Sequence, residues 1–193
     1  AHLNEPEKVA DCLDKISVAS QHLLDLINEV LDMSRIESGK ISLKKEPVNL
    51  PRLIADVLVL VKPDLTKKQQ TLHIRSSALI YDTVIGDILH LQKILLNLLS
   101  NAVKYTPPEH DLTIGVREEI CSENKINVIF TMEDTGIGMT PEFLSRIFTP
   151  FERAQDSRIS QISGTGLGMA ITKNIVDMMS GTIQVESQVG VGS

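Results

Sequence analysis

The apolar residues in the first part of the chain follow the period of one long helix. From residue 5 to about residue 38 they recur every three or four positions, and no proline interrupts the run after Pro6. The seam consists of Val9, Leu13, Ile16, Ser20, Leu23, Ile27, Leu31 and Ile36. Gly39 then ends the helix as a C-cap residue would. A seam of this length favours a helical hairpin or bundle over the wall of a large globular core, and it implies a missing partner helix or a second subunit.

After residue 40 the pattern changes to short alternating segments and shorter helices. Helices are predicted at residues 50 to about 62, 88 to about 105, 141 to 147 and 168 to about 179. Asn49 and Asp87 are the expected N-caps of the first two, and Pro63 with the polar residues 66–70 is expected to form a connection. Extended segments are predicted at residues 41–48, 72–76, 83–85, 112–120, 125–133 and 181–185. This order predicts an α+β fold, a two-layer α/β sandwich with helices on one face of a mixed sheet.

The strand predicted at residues 125–133 leads to an acid on its apolar face. That face carries Ile126, Val128, Phe130 and Met132. Asp134 is the next residue on it, and an ionised carboxylate there costs several kcal/mol unless the protein or a ligand donates a hydrogen bond. Gly136 and Gly138 follow, where a flat or phosphorylated molecule could approach bare backbone. A ligand-binding acid and an acid capped by its own Asx-turn both remain open at this point.

The most apolar helix carries a polar stripe beside its core face. Asn97, Asn101 and Lys104 are spaced i, i+4, i+7, and asparagine is a poor residue for a helix interior. The expected core face consists of Leu91, Ile94, Leu95, Leu98 and Ala102. Amide oxygens can coordinate Mg²⁺ without adding charge, and Lys104 can offset nearby phosphate charge. A solvated polar flank of an amphipathic helix is the alternative.

A second glycine cluster opens the last helix. In Gly164-x-Gly166-x-Gly168 the free backbone N–H groups and the helix dipole favour an anion. No Lys-Ser/Thr pair follows, as a Walker loop needs, so the cluster alone is a weak signal. The preceding residues 149–163 show no periodicity, and their length suggests a lid. Phe148 and Phe151 are interpreted as anchors that hold the root of this lid against the core.

Composition and charge limit the classes of function. A formal charge of −6 argues against a general nucleic-acid-binding or anionic-membrane surface. The two cysteines, Cys12 and Cys121, have neither metal-ligand spacing nor a disulfide pattern, which fits a reducing cytosol. The longest aliphatic run, residues 57–61, is too short to span a bilayer, so a membrane anchor of the intact protein would lie outside this chain.

Four of these segments, taken in order, resemble the ATP-binding catalytic region of sensor histidine kinases. These kinases belong to the GHKL superfamily, with gyrase, the heat-shock chaperone ATPase and the mismatch-repair ATPases. The matching segments are residues 96–106 (LNLLSNAVKYT, like the N box), 134–138 (DTGIG, G1 box), 148–152 (FTPFE, F box) and 164–168 (GTGLG, G2 box). The resemblance runs from about Asp32 to the end, and it implies a Bergerat-like sandwich of the histidine kinase and gyrase ATPase type.

The resemblance implies a role for each site residue, with ATP and Mg²⁺ as cofactors. Asp134 would accept the exocyclic amine of adenine, and Asn101 with Asn97 would hold Mg²⁺ on the phosphates. The remaining residues implied to bind ATP are Lys104, Tyr105, Gly136, Ile137, Gly138, Gly164, Thr165, Gly166, Leu167 and Gly168. Asn97 and Lys104 are the implied catalytic residues. In ATP-hydrolysing relatives a glutamate stands where Asn97 stands here, and an amide is no general base, so the pocket is expected to hold ATP for transfer.

Residues 31–40 (LDMSRIESGK) resemble the end of the second helix of a dimerisation and phosphoacceptor hairpin, in the form common among hybrid kinases. The expected domains are therefore residues 1–40, the second part of that hairpin, and residues 41–193, the ATP-binding domain. The five histidines are His2, His22, His73, His90 and His110. None of them lies in a phosphoacceptor box, so the phosphoacceptor and the first hairpin helix are expected outside this chain, which is interpreted as N-terminally truncated.

The resulting hypothesis is a fragment that transfers the γ-phosphoryl group of ATP to a histidine on another helix. The implied partners are a response regulator or receiver domain and, in the intact protein, a second copy as a homodimer. The implied location is the cytoplasm, including the cytoplasmic part of a membrane-bound receptor. Three alternatives remain open: a nucleotide-binding or phosphatase-biased sensor module, a GHKL ATPase, and a serine kinase of the same fold.

Overall fold

The computed structural model describes residues 6–76, 79–122, 125–153 and 164–193. The chain divides into two compact units, Ala1–Ile41 and Ser42–Ser193. Of the expected lid segment at residues 149–163, residues 154–163 lie outside the described residues.

The first unit is a single long helix, α1 (Pro6–Glu37), as the apolar seam predicts. Gly39 has φ +64°, and the N–H groups of Gly39 and Lys40 donate to the carbonyls of Ile36 and Arg35. This pattern is a Schellman motif, so the predicted C-cap is confirmed. Most of the seam is solvent-exposed in this chain, at Leu13, Ile16, Leu23, Ile27 and Leu31.

The second unit contains two small sheets. The two-stranded sheet pairs β1 (Glu46–Asn49) with β3 (Thr83–Gly86) in antiparallel orientation. The other has the order β2 (Thr71–Ser76), β4 (Asp111–Ser122), β5 (Lys125–Asp134), with β2 and β4 parallel and β4 and β5 antiparallel. The predicted mixed sheet is therefore confirmed.

The helices of this unit are α2 (Leu50–Lys67), α3 (Ile88–Tyr105), α4 (Pro141–Leu144) and α5 (Gly168–Met178). Both expected N-caps are present, because Asn49 accepts a hydrogen bond from the N–H of Arg52 and Asp87 accepts one from the N–H of His90. α4 is one turn, shorter than predicted, and turns continue after it to Phe151.

The core lies between the sheets and the pair α2 and α3. Its buried residues are Val48, Leu53, Val57, Val61, Leu65, Leu95, Leu99, Ala102, Val103 and Leu112. On α3 the prediction was wrong at one position: Leu99 is buried and Leu98 is only half-buried. The buried face of α3 is wider than one stripe, because α3 packs on α2 and β5 and also on α5.

α2 does not end at Lys62 as predicted, because it continues through Pro63 to Lys67. Proline inside a helix costs about 3 kcal/mol, since it removes one hydrogen bond and its ring crowds the preceding turn. The next turn compensates by burying Leu65 in the core, which contributes about 1.5–3 kcal/mol. Tertiary packing therefore overrides the local stop signal.

The strand predicted at residues 181–185 is absent from the structure. Ile183 and Val185 are half-buried between exposed neighbours, so the alternation is real. A strand also needs a backbone partner, and the bridge that the structure does show near here, between Gln188 and Gly192, lies beyond residues 181–185. No helix among the described residues is both long and apolar enough to cross a membrane.

Candidate functional site

Two separate segments of the chain lie against the second half of α3. The turn after β5 lies against the end of α3, where the N–H of Ile137 donates to the carbonyl of Tyr105 at 3.3 Å. The start of α5 lies against the middle of α3, where the Asn97 amide donates to the Thr172 hydroxyl at 2.8 Å. These contacts bring together three boxes that are distant in sequence, those at residues 96–106, 134–138 and 164–168.

Asp134 ends β5 and forms the predicted turn with its own backbone. Its Oδ1 accepts a hydrogen bond from the N–H of Gly136 at 2.8 Å, which is an Asx-turn. The turn occupies Oδ1 alone, so the carboxylate keeps acceptor capacity on Oδ2. Burial raises the pKa of Asp134 above its ordinary value, and the N–H groups of Gly136 and Ser193 partly offset this effect. The Asx-turn and a ligand-accepting role are thus compatible.

The glycines of this turn are required by close backbone approaches. A Cβ on Gly136 would lie 2.6 Å from Asp134 Oδ1 and 2.7 Å from the Tyr105 carbonyl oxygen. Gly138 has φ +64°, and its Cβ would lie 1.9 Å from the carbonyl oxygen of Gln188. Gly138 therefore packs against the chain's own residues 188–189, a reason that the sequence did not reveal.

Asn97 and Asn101 have different surroundings, although both are half-buried on α3. The Asn97 amide nitrogen donates a hydrogen bond to Thr172. The amide oxygen lies 2.2 Å from the position that a Cβ on Gly168 would occupy. Asn97 therefore joins α3 to the first turn of α5. The Asn101 side chain makes no hydrogen bond within the described residues, which leaves a partly buried amide oxygen available to a ligand.

Lys104 and Tyr105 lie on the last turn of α3. The Lys104 ammonium is 5.0 Å from the centre of the Tyr105 ring, within cation–π range. A Cβ on Gly164 would lie 2.6 Å from the Lys104 nitrogen, so the first glycine of the second cluster lies beside this cation. Burial raises the pKa of the Tyr105 phenol, partly countered by the positive charge of Arg153.

The start of α5 has no side-chain N-cap. Leu167 is the N-cap residue of α5, and its side chain makes no capping hydrogen bond. It therefore satisfies none of the first N–H groups of the helix. Gly166 has φ +78° and its carbonyl accepts a hydrogen bond from the N–H of Phe151. Phe151 itself is 68% exposed, so the prediction that it anchors a lid root against the core was wrong. Its backbone holds the loop there, and its ring does not.

The sequence did not identify three residues that support the site. Thr172 is buried on α5 and accepts the Asn97 hydrogen bond. Lys68 and Gln70, predicted as part of a polar connection, both donate to carbonyls at the end of α3. Thr172 could have been noticed as a polar residue on the apolar face of α5, whereas Lys68 and Gln70 carry no periodic signal.

Within the described residues no cluster of three or more His, Cys, Asp or Glu side chains could hold a metal ion. A divalent ion at this site would therefore depend on amide oxygens and on ligand phosphates. Mg²⁺ accepts such a set, because it commonly binds through few protein oxygens together with water and phosphate. The available amide of Asn101 fits this requirement.

The fold and the site define a two-layer sandwich in which an asparagine-bearing helix faces a strand-end Asp-x-Gly turn. The family model for histidine kinase-, DNA gyrase B- and HSP90-like ATPases matches residues 86–193, and the chain belongs to this family. The sensor histidine kinase GacS of Pseudomonas protegens is 38% identical over 187 residues, which cover 95% of this chain and 20% of that protein. Hybrid signal transduction histidine kinase A of Dictyostelium discoideum is 36% identical, over 98% of this chain and 9% of that protein.

A solved structure shows the same fold. The crystal structure of full-length ShkA in complex with AMPPNP has a TM-score of 0.78 and 28% identity, over 95% of this chain and 36% of that one. The resemblance to sensor histidine kinases, hybrid ones included, is thus confirmed, as is the sandwich fold. The chain spans about a fifth or less of the two curated relatives named above.

Proposed function

We propose that this chain binds Mg-ATP and presents its γ-phosphoryl group to a histidine on a helix that the sequence does not contain. The observation that carries the proposal is the half-buried Asp134 carboxylate, held by its Asx-turn beside the end of α3. The family is one of ATPases, and the related ShkA structure contains AMPPNP, a non-hydrolysable ATP analogue. Both support a nucleotide at this place.

Each segment has a defined task in this proposal. Asp134 accepts a hydrogen bond from the adenine amine, and the main chain of residues 136–138 lies against the base. Lys104 and the N–H groups at the start of α5 attract the phosphates electrostatically, and Tyr105 lies beside Lys104. Asn101, together with Asn97, offers amide oxygens to Mg²⁺, which when bound neutralises phosphate charge. Transfer then depends mainly on positioning and charge neutralisation.

Asn97 favours transfer over hydrolysis. A carboxamide cannot accept a proton from water at neutral pH, and the nitrogen of this amide is already bonded to Thr172. The pocket therefore holds ATP without activating water. This feature weighs against the ATPase alternative, for which rapid phosphate release without any acceptor would be the sign.

The remaining proposals concern the rest of the signalling protein. We place the second helix of the dimerisation hairpin at residues 1–40 and the ATP-binding domain at residues 41–193. The exposed seam of α1 supports pairing with a first hairpin helix and a second copy. The curated relatives are named as sensor and signal transduction histidine kinases, which supports a response regulator or receiver domain as the phosphoryl acceptor downstream. A location in the cytoplasm is part of the same proposal.

Replacement of Asp134 tests the nucleotide site. Asp134→Ala removes the acceptor, and hydrogen bonds to charged groups contribute about 1.5–3 kcal/mol, so Mg-ATP should bind roughly 10- to 100-fold more weakly in calorimetry. Glu133→Ala is the matched control, because the neighbouring acid is exposed and pairs with Arg75. Equal affinities of a folded Asp134→Ala variant and the unchanged protein would contradict the proposal.

Transfer is tested by supplying the missing helix. The chain is mixed with radiolabelled ATP and the phosphoacceptor hairpin of a related kinase, and acid-labile phosphohistidine on the hairpin is expected. No label is expected on this chain by itself. Bound ATP without any transferred label would favour the sensor-module alternative.

A further inference from the structure

The carbonyl end of α3 is closed by two side chains from a different part of the chain. The Lys68 ammonium donates to the carbonyl oxygens of Val103, Lys104 and Thr106 at 2.8, 2.8 and 3.0 Å. The Gln70 amide nitrogen lies within hydrogen-bonding distance of the Val103, Thr106 and Pro107 carbonyls, at 3.1, 2.7 and 3.1 Å. The last turn of the helix that bears the nucleotide residues is thus held from behind.

This closure replaces one that the backbone of α3 cannot make. The last carbonyls of a helix lack intrahelical partners and are commonly satisfied by N–H groups just beyond the cap. The residues beyond the cap Thr106 are Pro107 and Pro108, and neither has an N–H group. α1 ends on Gly39 and closes itself, whereas α3 depends on donors from outside. Because the residues just after α3 lack N–H donors, the side chains of a lysine and a glutamine donate to its last carbonyls instead.

The two side chains are themselves fixed. Gln70 is only 9% exposed, and Lys68 is half-buried. The Lys68 carbonyl accepts a hydrogen bond from the N–H of Glu109 at 3.0 Å, and Gln69 between them has φ +54°, which turns the chain sharply at the end of α2. Burial lowers the pKa of Lys68, partly countered by Asp64. The three carbonyl dipoles favour the ammonium form at the helix C-terminus.

We propose that Lys68 and Gln70 are positioning residues of the nucleotide site, which hold the last turn of α3 so that Lys104 is aimed at the phosphates. Lys68 binds the carbonyl of Lys104 itself, and the next carbonyl, that of Tyr105, receives the N–H of Ile137 from the Asp134 turn. One turn therefore connects the cation with the adenine-binding segment. The inference rests on the proposed function, because it assumes that this pocket binds Mg-ATP.

Calorimetric titration with Mg-ATP tests the inference on the whole chain. Lys68→Met should weaken binding about tenfold, and Lys68→Arg, which retains donors and charge, should stay within about threefold of the unchanged protein. Lys67→Met is the matched control, since it removes the same charge from the adjacent exposed position and should change affinity less than about twofold. Gln70→Met, which leaves Lys68 in place, should weaken binding in the same direction.

A double-mutant cycle separates positioning from a general loss of stability. If Lys68 acts through Lys104, the variant carrying both Lys68→Met and Lys104→Ala should bind only slightly more weakly than Lys104→Ala alone. Additive losses would show that Lys68 acts elsewhere and would overturn the inference. Should Lys68→Met fail to fold, Lys68→Gln, which retains two donors, enters the same cycle with the same criterion.

The two proposals fail in different ways. If the unchanged protein does not bind Mg-ATP, the proposed function is wrong and this inference falls with it. If the unchanged protein binds Mg-ATP and a folded Lys68→Met variant binds equally well, only the inference is wrong.

Discussion

At the scale of single residues, Asp134 combines two properties that usually exclude each other. Burial raises its pKa, which disfavours the ionised form, yet the proposed contact with adenine needs an acceptor. The Asx-turn to Gly136 offsets part of this burial effect. The sequence predicted the acid on an apolar face, because alternation along a strand fixes the side to which each residue points. It could not predict the neighbours Ser193 and Gln188, which arrive from a segment 50 residues or more away.

The raised pKa of Asp134 makes opposite predictions for stability and for binding. A carboxyl group whose folded pKa is raised contributes stability that is fully present below its unfolded pKa of about 3.9 and is lost as the pH rises through the folded value. Without nucleotide, the melting temperature of the unchanged protein should therefore rise relative to that of Asp134→Asn as the pH is lowered. Thermal melts of both proteins from pH 7 down to about pH 4, close to the unfolded pKa, check the sign.

Nucleotide binding should respond in the other direction. Protonation of the Asp134 carboxylate removes acceptor capacity. As the pH is lowered, the affinity of the unchanged protein for Mg-ATP should therefore decrease more steeply than that of Asp134→Asn. The titration of the ATP phosphates is common to both proteins and cancels in the comparison. Parallel affinity profiles would contradict a direct contact between Asp134 and the base.

At the scale of helices and strands, local sequence signals predicted the structure correctly where nearby residues supply the hydrogen bonds. They failed where contacts with distant parts of the fold determine the structure. The caps Asn49, Asp87 and Gly39 are correct, since each cap bonds within a few residues of its own position. Pro63 did not stop α2, because the buried Leu65 lies only two residues further on. The strand expected at residues 181–185 failed for the complementary reason that its alternation lacks a backbone partner.

The placement of Pro63 gives a test of this balance. Pro63→Ala should restore a helical N–H group in the interior of α2 and stabilise the protein by about 2–2.6 kcal/mol, which is the cost of about 3 kcal/mol less about 0.4–1 kcal/mol for the greater freedom of the unfolded chain. That gain corresponds to a rise of roughly 4–10 °C in melting temperature.

Pro51→Ala provides the matched control in the same helix. Pro51 lies in the first turn, where no intrahelical bond is lost and the proline ring favours the helix, so its replacement should be neutral or destabilising. A similar gain from both substitutions would mean that Pro63 imposes no specific cost on α2.

At the scale of the whole molecule, the proposed nucleotide residues all belong to the unit Ser42–Ser193, whereas the exposed apolar seam belongs to Ala1–Ile41. Binding of ATP and association of copies should therefore be separable. The sequence predicts a division after residue 40, because the period of the apolar pattern changes close to the end of α1. The partner of the seam could not be predicted, because an exposed apolar face indicates that some partner covers it but does not identify that partner.

Charged substitutions on α1 test this separation. Leu23→Glu combined with Ile27→Glu should reduce self-association in sedimentation experiments, because both side chains lie on the exposed seam. The affinity for Mg-ATP should stay within about twofold of the unchanged protein. Ser17→Glu combined with Ser34→Glu, at two exposed positions of the same helix outside the seam, controls for the two added charges. A parallel loss of nucleotide binding in the seam variant would contradict the separation.

Residues 188–193 lie against the turn that contains Asp134. Gly138 packs against Gln188, and the main chain of Asp134 exchanges hydrogen bonds with Ser193. A load applied to residues 188–193, whether by a bulky label or by tension in the polypeptide, would shift the carboxylate that we propose as the acceptor for adenine. Under that proposal, mechanical strain at one edge of the sandwich would change how long ATP stays bound.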